Sequence, residues 1–225
     1  MASSEIRIRV DGKIGAVSGL LDRPRGAKAL FVLAHGAGAG MRHAFQEALV
    51  PRLSVCRVAT LRYQFPYMEK GSRRPDARRV LLATVRAAVA VGVTRARGLP
   101  VFAGGKSMGG RMTSLAASEE AFGSLRGIVF LGFPLHGADK AGMGRAEHLR
   151  DVDVPMLFLQ GTRDALADLD SMRAVCKGLG KRATLHVVEG GDHSFHVLKR
   201  SGRTDDEVQD EIADQIAGFV AARAG

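Results

Sequence analysis

The heptapeptide Gly104-Gly105-Lys106-Ser107-Met108-Gly109-Gly110 decides the fold, because it links an apolar run to a segment with helical periodicity. The apolar run, Leu-Pro-Val-Phe-Ala at 99–103, predicts a buried strand. In a strand–turn–helix context, a Gly-x-Ser-x-Gly sequence holds its serine exposed on a strained turn, and the flanking glycines prevent collisions where strand bends into helix. A plain glycine-rich turn would have the same sequence, so the choice between the two depends on the rest of the chain.

Two further polar groups follow the serine in the order that a serine nucleophile needs. The apolar run 155–159 leads into a loop that contains Asp164, and the run 184–188 leads into a loop that contains His193. Residues after parallel strands meet at one edge of a sheet, so Ser107, Asp164 and His193 are expected to lie together. His193 would take the serine proton, Asp164 would fix the tautomer of the imidazole, and Ser107 would attack a carbonyl carbon.

Neighbouring polar residues leave alternatives open. His196 lies three residues beyond His193 and is the alternative base, although the Gly-Asp-His-Ser setting favours His193. Asp168 and Asp170 would compete with Asp164 if the loop after that strand were longer than expected.

A third apolar run, at 30–34, is followed by the loop His-Gly-Ala-Gly-Ala-Gly at 35–40. Such a loop can point a backbone N–H at an oxyanion, and Ala37 is expected to supply it together with the N–H of Met108. A dinucleotide site would instead need an acidic residue about 20 residues later, and the chain reads Cys-Arg-Val-Ala at 56–59. The His and Asp residues also lack close metal-ligand spacing, so the sequence predicts neither a cofactor nor a metal.

Two loops are expected to form the walls of the site, one at 62–68 and the other at 133–137. The aromatics of the first loop would otherwise simply pack it onto the sheet. Lys106 and Arg111 flank the serine turn and would either attract an anionic substrate or be solvated or paired at the sheet edge. His35 is expected to order the oxyanion loop. His136, in the second loop, would either form a hydrogen bond in the pocket or serve as a structural loop histidine. The candidate pocket residues are therefore His35, Tyr63, Phe65, Lys106 and His136.

The remaining sequence is regular. Residues 6–20 predict an amino-terminal hairpin, and a later helical segment is expected to end at Gly92. Residues 204–207, Thr-Asp-Asp-Glu, predict a capping box that opens the last helix. Apolar runs alternate with helical segments, which predicts a mostly parallel, twisted sheet with helices on both faces. Only about two dozen residues separate Leu131 from Pro155, which is too few for a cap domain.

Five segments carry a resemblance to a known family: Ala-His-Gly-Ala-Gly at 34–38, Phe-Pro-Tyr-Met at 65–68, the stretch 104–112, Leu-Gln-Gly-Thr-Arg-Asp at 159–164 and Gly-Asp-His-Ser at 191–194. The chain resembles α/β-hydrolases over essentially its whole length, and most of all their small, capless, dienelactone-hydrolase-like branch. Within that branch it is similar to the family that includes a testis-expressed protein and a subunit of the NSL histone-acetyltransferase complex. The resemblance implies an α/β-hydrolase fold and a Ser-His-Asp triad. Dienelactone hydrolase has a cysteine where this chain has Ser107, so its substrate is not implied.

Composition is consistent with this interpretation. At 225 residues and 46% hydrophobic content, the chain is expected to form one domain over 1–225. No apolar stretch reaches the ~18 residues of a membrane span, and the start lacks a signal-peptide core. Two cysteines do not make a disulfide framework, and a cytoplasmic protein is expected. The net charge of +10 suggests nucleic acid, but the basic residues are scattered and no aromatics are interleaved with them, so such binding is not expected.

The sequence therefore predicts a serine hydrolase, carboxylesterase-like or thioesterase-like, that cleaves a small-molecule ester or thioester through an acyl-enzyme. Some members of the family that the chain resembles serve assembly roles, so the alternative is a catalytically silent interaction or scaffold protein. Acyl length, natural substrate and oligomeric state are left open by the sequence.

Overall fold

The computed structural model describes residues 3–137 and 142–224, which form one eight-stranded sheet with helices on both faces. The strands are β1 (Ser4–Asp11), β2 (Gly15–Asp22), β3 (Ala29–Ala34), β4 (Val58–Tyr63), β5 (Val101–Lys106), β6 (Leu125–Leu131), β7 (Met156–Gly161) and β8 (Ala183–Val188). The α-helices are α1 (Ala44–Val55), α2 (Pro66–Glu69), α3 (Arg78–Ala96), α4 (Met108–Glu119), α5 (Leu169–Leu179) and α6 (Asp205–Ala221). Three short 3₁₀ helices span Gly144–Asp151, Gly180–Arg182 and Lys199–Ser201.

The strands lie in the order β1-β2-β4-β3-β5-β6-β7-β8. β1 and β2 form the predicted antiparallel hairpin, and β2 is antiparallel to β4. All other neighbouring strands are parallel, which confirms the predicted fold class. The carboxyl ends of β3, β5, β6, β7 and β8 consequently share one edge of the sheet, where ligands bind in open α/β sheets.

The sheet separates two apolar cores, and β3 shows how the pleat divides them. Leu30, Val32 and Ala34 face one core, which α3, α4 and α5 cover. The intervening residues 29, 31 and 33 face the other core, which α1 and α6 cover. A strand buried on both faces is apolar throughout rather than alternating, which is the pattern that the sequence shows.

The last helix starts where the sequence predicts. Thr204 Oγ1 accepts a hydrogen bond from the Glu207 N–H at 3.2 Å, and the Glu207 carboxylate accepts one from the Thr204 N–H at 2.7 Å. These two bonds confirm the capping box.

The predicted end of α3 at Gly92 is wrong, because the helix continues to Ala96 and stops at Arg97, which has φ 52°. A Cβ atom at Gly92 would lie 2.4 Å from Cγ2 of Val32. The glycine therefore lets α3 pass close to β3, which is a packing requirement and not a helix-end signal.

The connection from β6 to β7 holds no cap domain. Its described part contains the 3₁₀ helix Gly144–Asp151, while residues 138–141 lie outside the described ranges. Within residues 3–137 and 142–224, no helix is both long enough and apolar enough to span a bilayer. In the described ranges, loops and the start of α1 cover the carboxyl edge of the parallel strands.

Candidate active site

Ser107 occupies a strained turn between β5 and α4. Its φ is 49° and its ψ is −114°, a conformation that costs a residue with a side chain about 1–3 kcal/mol. The turn fits because two neighbours are glycines: a Cβ atom at Gly105 would lie 2.2 Å from the Ala34 carbonyl oxygen, and one at Gly109 would lie 2.6 Å from that of His35. The Ser107 N–H donates to the Leu131 carbonyl at 3.0 Å, which fixes the turn to the end of β6.

The structure brings Ser107, His193 and Asp164 together at the carboxyl edge of the sheet. His193 Nε2 lies 2.8 Å from Ser107 Oγ, and His193 Nδ1 lies 2.8 Å from Asp164 Oδ2. With a proton on Nδ1, the imidazole donates to the carboxylate and its free Nε2 accepts the serine hydroxyl proton. The three side chains therefore form one continuous hydrogen-bonded chain.

Asp164 is held by donors on both carboxylate oxygens. Its side chain is fully buried, Oδ1 accepts from the Leu166 N–H at 2.8 Å, and Oδ2 accepts from Gln160 Nε2 at 2.6 Å as well as from His193. Gln160 is itself fixed, because its Oε1 accepts from the Phe133 N–H at 3.1 Å. Gln160 was not predicted from the sequence, although a polar residue at the end of the apolar run in β7 was a usable signal.

The alternative acids and base lie elsewhere. His196 pairs with Asp205 at 2.8 Å, beside the start of α6. Asp168 accepts from the Ser171 N–H and caps α5, and Asp170 pairs with Arg173. The structure thus places none of them in hydrogen-bond contact with Ser107 or His193.

The loop at 35–40 passes beside Ser107: a Cβ atom at Gly36 would lie 3.8 Å from that of Ser107. Within the described ranges, the N–H groups of Ala37 and Met108 donate no hydrogen bond. Met108 opens α4, where the first N–H groups have no intrahelical acceptor and the helix dipole favours negative charge.

His35 is buried and anchors the loop 35–40 through its imidazole ring. Burial lowers the pKa of His35 to about 4, so the ring is neutral at pH 7. Nδ1 donates to the Gly36 carbonyl at 2.7 Å, and Nε2 accepts the Phe65 N–H at 3.1 Å. The Gly38 N–H donates to the Tyr67 hydroxyl at 3.1 Å. Both ring nitrogens of His35 are therefore engaged in holding the loop.

A cavity of about 340 Å³ opens beside Ser107 and His193. Its apolar walls come largely from residues that were not predicted from the sequence, because the start of α1 and the loop after Asp164 fold over the site. The described lining residues include the expected His35, Ala37, Lys106, Ser107 and His193, and the unexpected His43, Phe45, Gln46 and Leu166.

Three expected pocket residues do not line this cavity. Tyr63 and Phe65 are buried in the core, where Phe65 contacts the His35 ring edge-on at 4.9 Å between centroids. Phe65 supports the loop 35–40 from the core side, because its N–H donates to Nε2 of His35. His136 bonds the Gly137 carbonyl through Nδ1, and Arg145 donates to its backbone carbonyl, so it lies apart from the cavity.

A second cavity, of about 620 Å³, lies between the 3₁₀ helix Gly144–Asp151 and α5. It is larger, but its described lining contains no serine, cysteine or histidine. The smaller cavity beside Ser107 is therefore the candidate active site.

The fold and the side chains at the sheet edge define an α/β protein without a cap domain that carries a serine on a strained turn. A family model described as an alpha/beta hydrolase domain matches residues 27–221, so the chain belongs to the α/β-hydrolase family. Similar solved structures include a dienelactone hydrolase from Anabaena variabilis, with 18% identity, a TM-score of 0.76 and coverage of 100% of this chain and 99% of that one. An α/β serine hydrolase homologue from Coxiella burnetii has 17% identity, a TM-score of 0.74 and coverage of 96% and 97%. A lidless serine hydrolase from Xanthomonas campestris has 16% identity, a TM-score of 0.72 and coverage of 99% and 95%.

Proposed function

We propose that this protein is a serine hydrolase that cleaves small carboxylic esters or thioesters through an acyl-enzyme. The observation that carries the proposal is the hydrogen-bonded chain from Ser107 Oγ through both nitrogens of His193 to the buried carboxylate of Asp164. Membership in the α/β-hydrolase family and the likeness of its fold to that of lidless serine hydrolases support it.

In the proposed first step, His193 Nε2 takes the proton of Ser107 while Oγ attacks the carbonyl carbon of the ester. The negative charge that develops on the carbonyl oxygen is met by the N–H groups of Ala37 and Met108 and by the amino-terminal end of α4. Such donors act in a water-poor pocket, where removing one typically lowers kcat about 10²–10³-fold.

In the second step, the carbonyl re-forms and the leaving oxygen or sulfur takes the proton from His193. A water molecule then attacks the acyl-serine, His193 takes a proton from that water, and collapse returns the proton to Ser107 Oγ. Asp164 stays ionised throughout and stabilises the imidazolium, and its two additional donors keep its carboxylate in place.

The cavity supports a small substrate. A volume of about 340 Å³ lies at the lower end of the range for ligand pockets, about 300–1,000 Å³. Phe45 and Leu166 supply apolar wall, which suits a short acyl chain. A neutral, activated ester such as p-nitrophenyl acetate is therefore the first substrate to test.

The test compares matched pairs of variants on that ester. Ser107→Ala and His193→Gln are expected to lose at least about 10³-fold in kcat, because each removes a member of the triad. The controls Ser118→Ala and His196→Gln change the same residue types at positions outside the hydrogen-bonded chain and are expected to keep wild-type turnover. Equal activity in Ser107→Ala and wild type would contradict the proposal, provided both proteins have the same circular dichroism spectrum.

A further inference from the structure

Lys106 lies next to the nucleophile, but its side chain is directed under the His193 loop. Its Nζ donates to the backbone carbonyl of His193 at 2.5 Å and lies 5.4 Å from the centroid of the Phe195 ring. Space for this ammonium depends on Gly132, which has φ 70°: a Cβ atom there would lie 3.1 Å from Nζ. The side chain is therefore built into a narrow position behind the triad.

The ammonium has no close carboxylate partner. Among the described residues, no acid lies within 4.0 Å of Nζ in an ion pair, and Asp164 and Asp192 act on it only at longer range. Burial is the main cause that lowers the pKa of Lys106 to about 8. Burying a charged group without a close counterion is unfavourable. The hydrogen bond from the Lys106 ammonium to the His193 carbonyl therefore indicates a specific role for this charge.

The segment that carries His193 needs such an anchor. Phe195, two residues further on, has φ 64°, which is unfavourable for a residue with a side chain. The Phe195 ring stacks on Phe45 at 5.8 Å between centroids, and Asp192 accepts the N–H groups of Ser194 and His196. These contacts hold the loop on either side of His193, and Lys106 alone among them binds the His193 carbonyl itself.

We propose that Lys106 is a positioning residue, which holds the backbone of His193 so that its imidazole spans Ser107 and Asp164. The proposal rests on the proposed function, since it concerns the geometry of the same triad. This role differs from attracting an anionic substrate, because the Lys106 ammonium is already bonded to the His193 carbonyl. A misplacement of about 1 Å in such a site lowers the rate about 10²-fold.

The first experiment compares Lys106→Met, Lys106→Arg and the exposed control Lys177→Met on two esters that share a leaving group. One is p-nitrophenyl acetate, which is neutral, and the other is mono-p-nitrophenyl succinate, which is anionic. Lys106→Met is expected to lower kcat about 10- to 100-fold for both esters with little change in KM. Lys106→Arg keeps the positive charge and is expected to retain more of kcat than Lys106→Met, and Lys177→Met is expected to match wild type.

Two outcomes would overturn the proposal: wild-type kcat in Lys106→Met, or a rise in KM confined to the anionic ester, which would assign Lys106 to substrate binding. If wild type itself neither turns over an ester nor reacts with a fluorophosphonate probe, the proposed function fails. If wild type reacts and Lys106→Met reacts equally fast, only the role of Lys106 fails.

A second experiment is informative even if Lys106→Met does not fold. The rate of fluorophosphonate labelling is measured from pH 7 to 9.5 in wild type and in Lys106→Arg. The carboxylates that act on Lys106 are Asp164 after β7 and Asp192 after β8. His193 after β8 and the neutral His35 after β3 line the same cavity. Deprotonation of Lys106 turns a charge-assisted hydrogen bond into a neutral one of about half the strength, so the wild-type rate is expected to fall above about pH 8. The guanidinium of Lys106→Arg does not titrate in this range, so the labelling rate of that variant is expected not to fall above pH 8. The same decline in both proteins would overturn the proposal.

Discussion

Gln160 offers the sharpest test of how the site is held together. This glutamine is fully buried, its Nε2 donates to Asp164 Oδ2 at 2.6 Å, and its Oε1 accepts the Phe133 N–H at 3.1 Å. Gln160→Leu removes a hydrogen bond to a charged group, worth about 1.5–3 kcal/mol, and leaves a buried N–H without an acceptor, which costs about 1–3 kcal/mol. We therefore expect the free energy of unfolding to fall by about 3–5 kcal/mol.

A second buried glutamine provides the matched control. Gln46 is also almost fully buried, but neither of its amide atoms has a hydrogen-bond partner among the described residues. Gln46→Leu removes polar atoms that make no bond, so it is expected to leave stability unchanged or raise it by about 1 kcal/mol.

Urea denaturation followed by circular dichroism measures both variants at pH 7.5. In a chain of this size, the expected loss for Gln160→Leu corresponds to a fall in Tm of roughly 10–15 °C. Labelling by a fluorophosphonate is also expected to slow, because Asp164 loses one of the donors that fix it. A loss below about 0.5 kcal/mol for Gln160→Leu, or an equal loss for Gln46→Leu, would refute the reasoning.

Three further predictions concern stability. Ser107→Gly is expected to abolish ester hydrolysis while raising the free energy of unfolding by about 1 kcal/mol, because it relieves a φ of 49°. The control Ser118→Gly lies in a helix and should lower the free energy of unfolding by about 0.5 kcal/mol. A loss of stability in Ser107→Gly would contradict the inference that the Ser107 backbone is strained. The pKa of His35 is lowered from 6.5 to about 4, so the unfolded state binds the proton more tightly than the folded state. The free energy of unfolding is therefore expected to decrease as the pH drops below 6.5, by about 2 kcal/mol at pH 5. Urea titrations should show a weaker pH dependence in His35→Gln than in wild type, and equal slopes would refute this prediction. Gly92→Ala is expected to lower the thermal midpoint, because its Cβ would lie 2.4 Å from a core side chain and would cost about 1–3 kcal/mol of stability. Gly178→Ala, in a helix with open space around it, should raise the thermal midpoint. The reverse order of the two midpoints would contradict the close packing inferred at Gly92.

The sequence predicted those features that depend on local pattern and chain order. Apolar runs indicated the parallel strands, and loops after them placed Ser107, Asp164 and His193 at one edge, where the structure brings them into contact. The pair Thr204 and Glu207 indicated the start of α6, since a capping box is a local device.

Features that depend on side-chain direction at the ends of strands were not predictable in this way. Tyr63 ends β4 and Phe65 lies just after it, and both were expected in the pocket, but they turn into the core beneath the loop 35–40. Lys106 was expected to attract a substrate, to be solvated or to be paired at the sheet edge. Its actual direction depends on the space at Gly132, which is distant in sequence. Gln46 lines the cavity because α1 folds over the site, and no spacing rule in the sequence encodes that approach.

The central claim is that Ser107 is an activated nucleophile, and one measurement tests it most directly. The folded protein is treated with a fluorophosphonate probe, and peptide mass spectrometry locates the adduct in wild type, Ser107→Ala and Ser118→Ala. The account predicts one adduct, on Ser107, in wild type and in Ser118→Ala, and none in Ser107→Ala. A well-folded wild-type protein that takes no adduct, or takes it on another residue, would contradict the account and favour a scaffold that retains the fold without the chemistry.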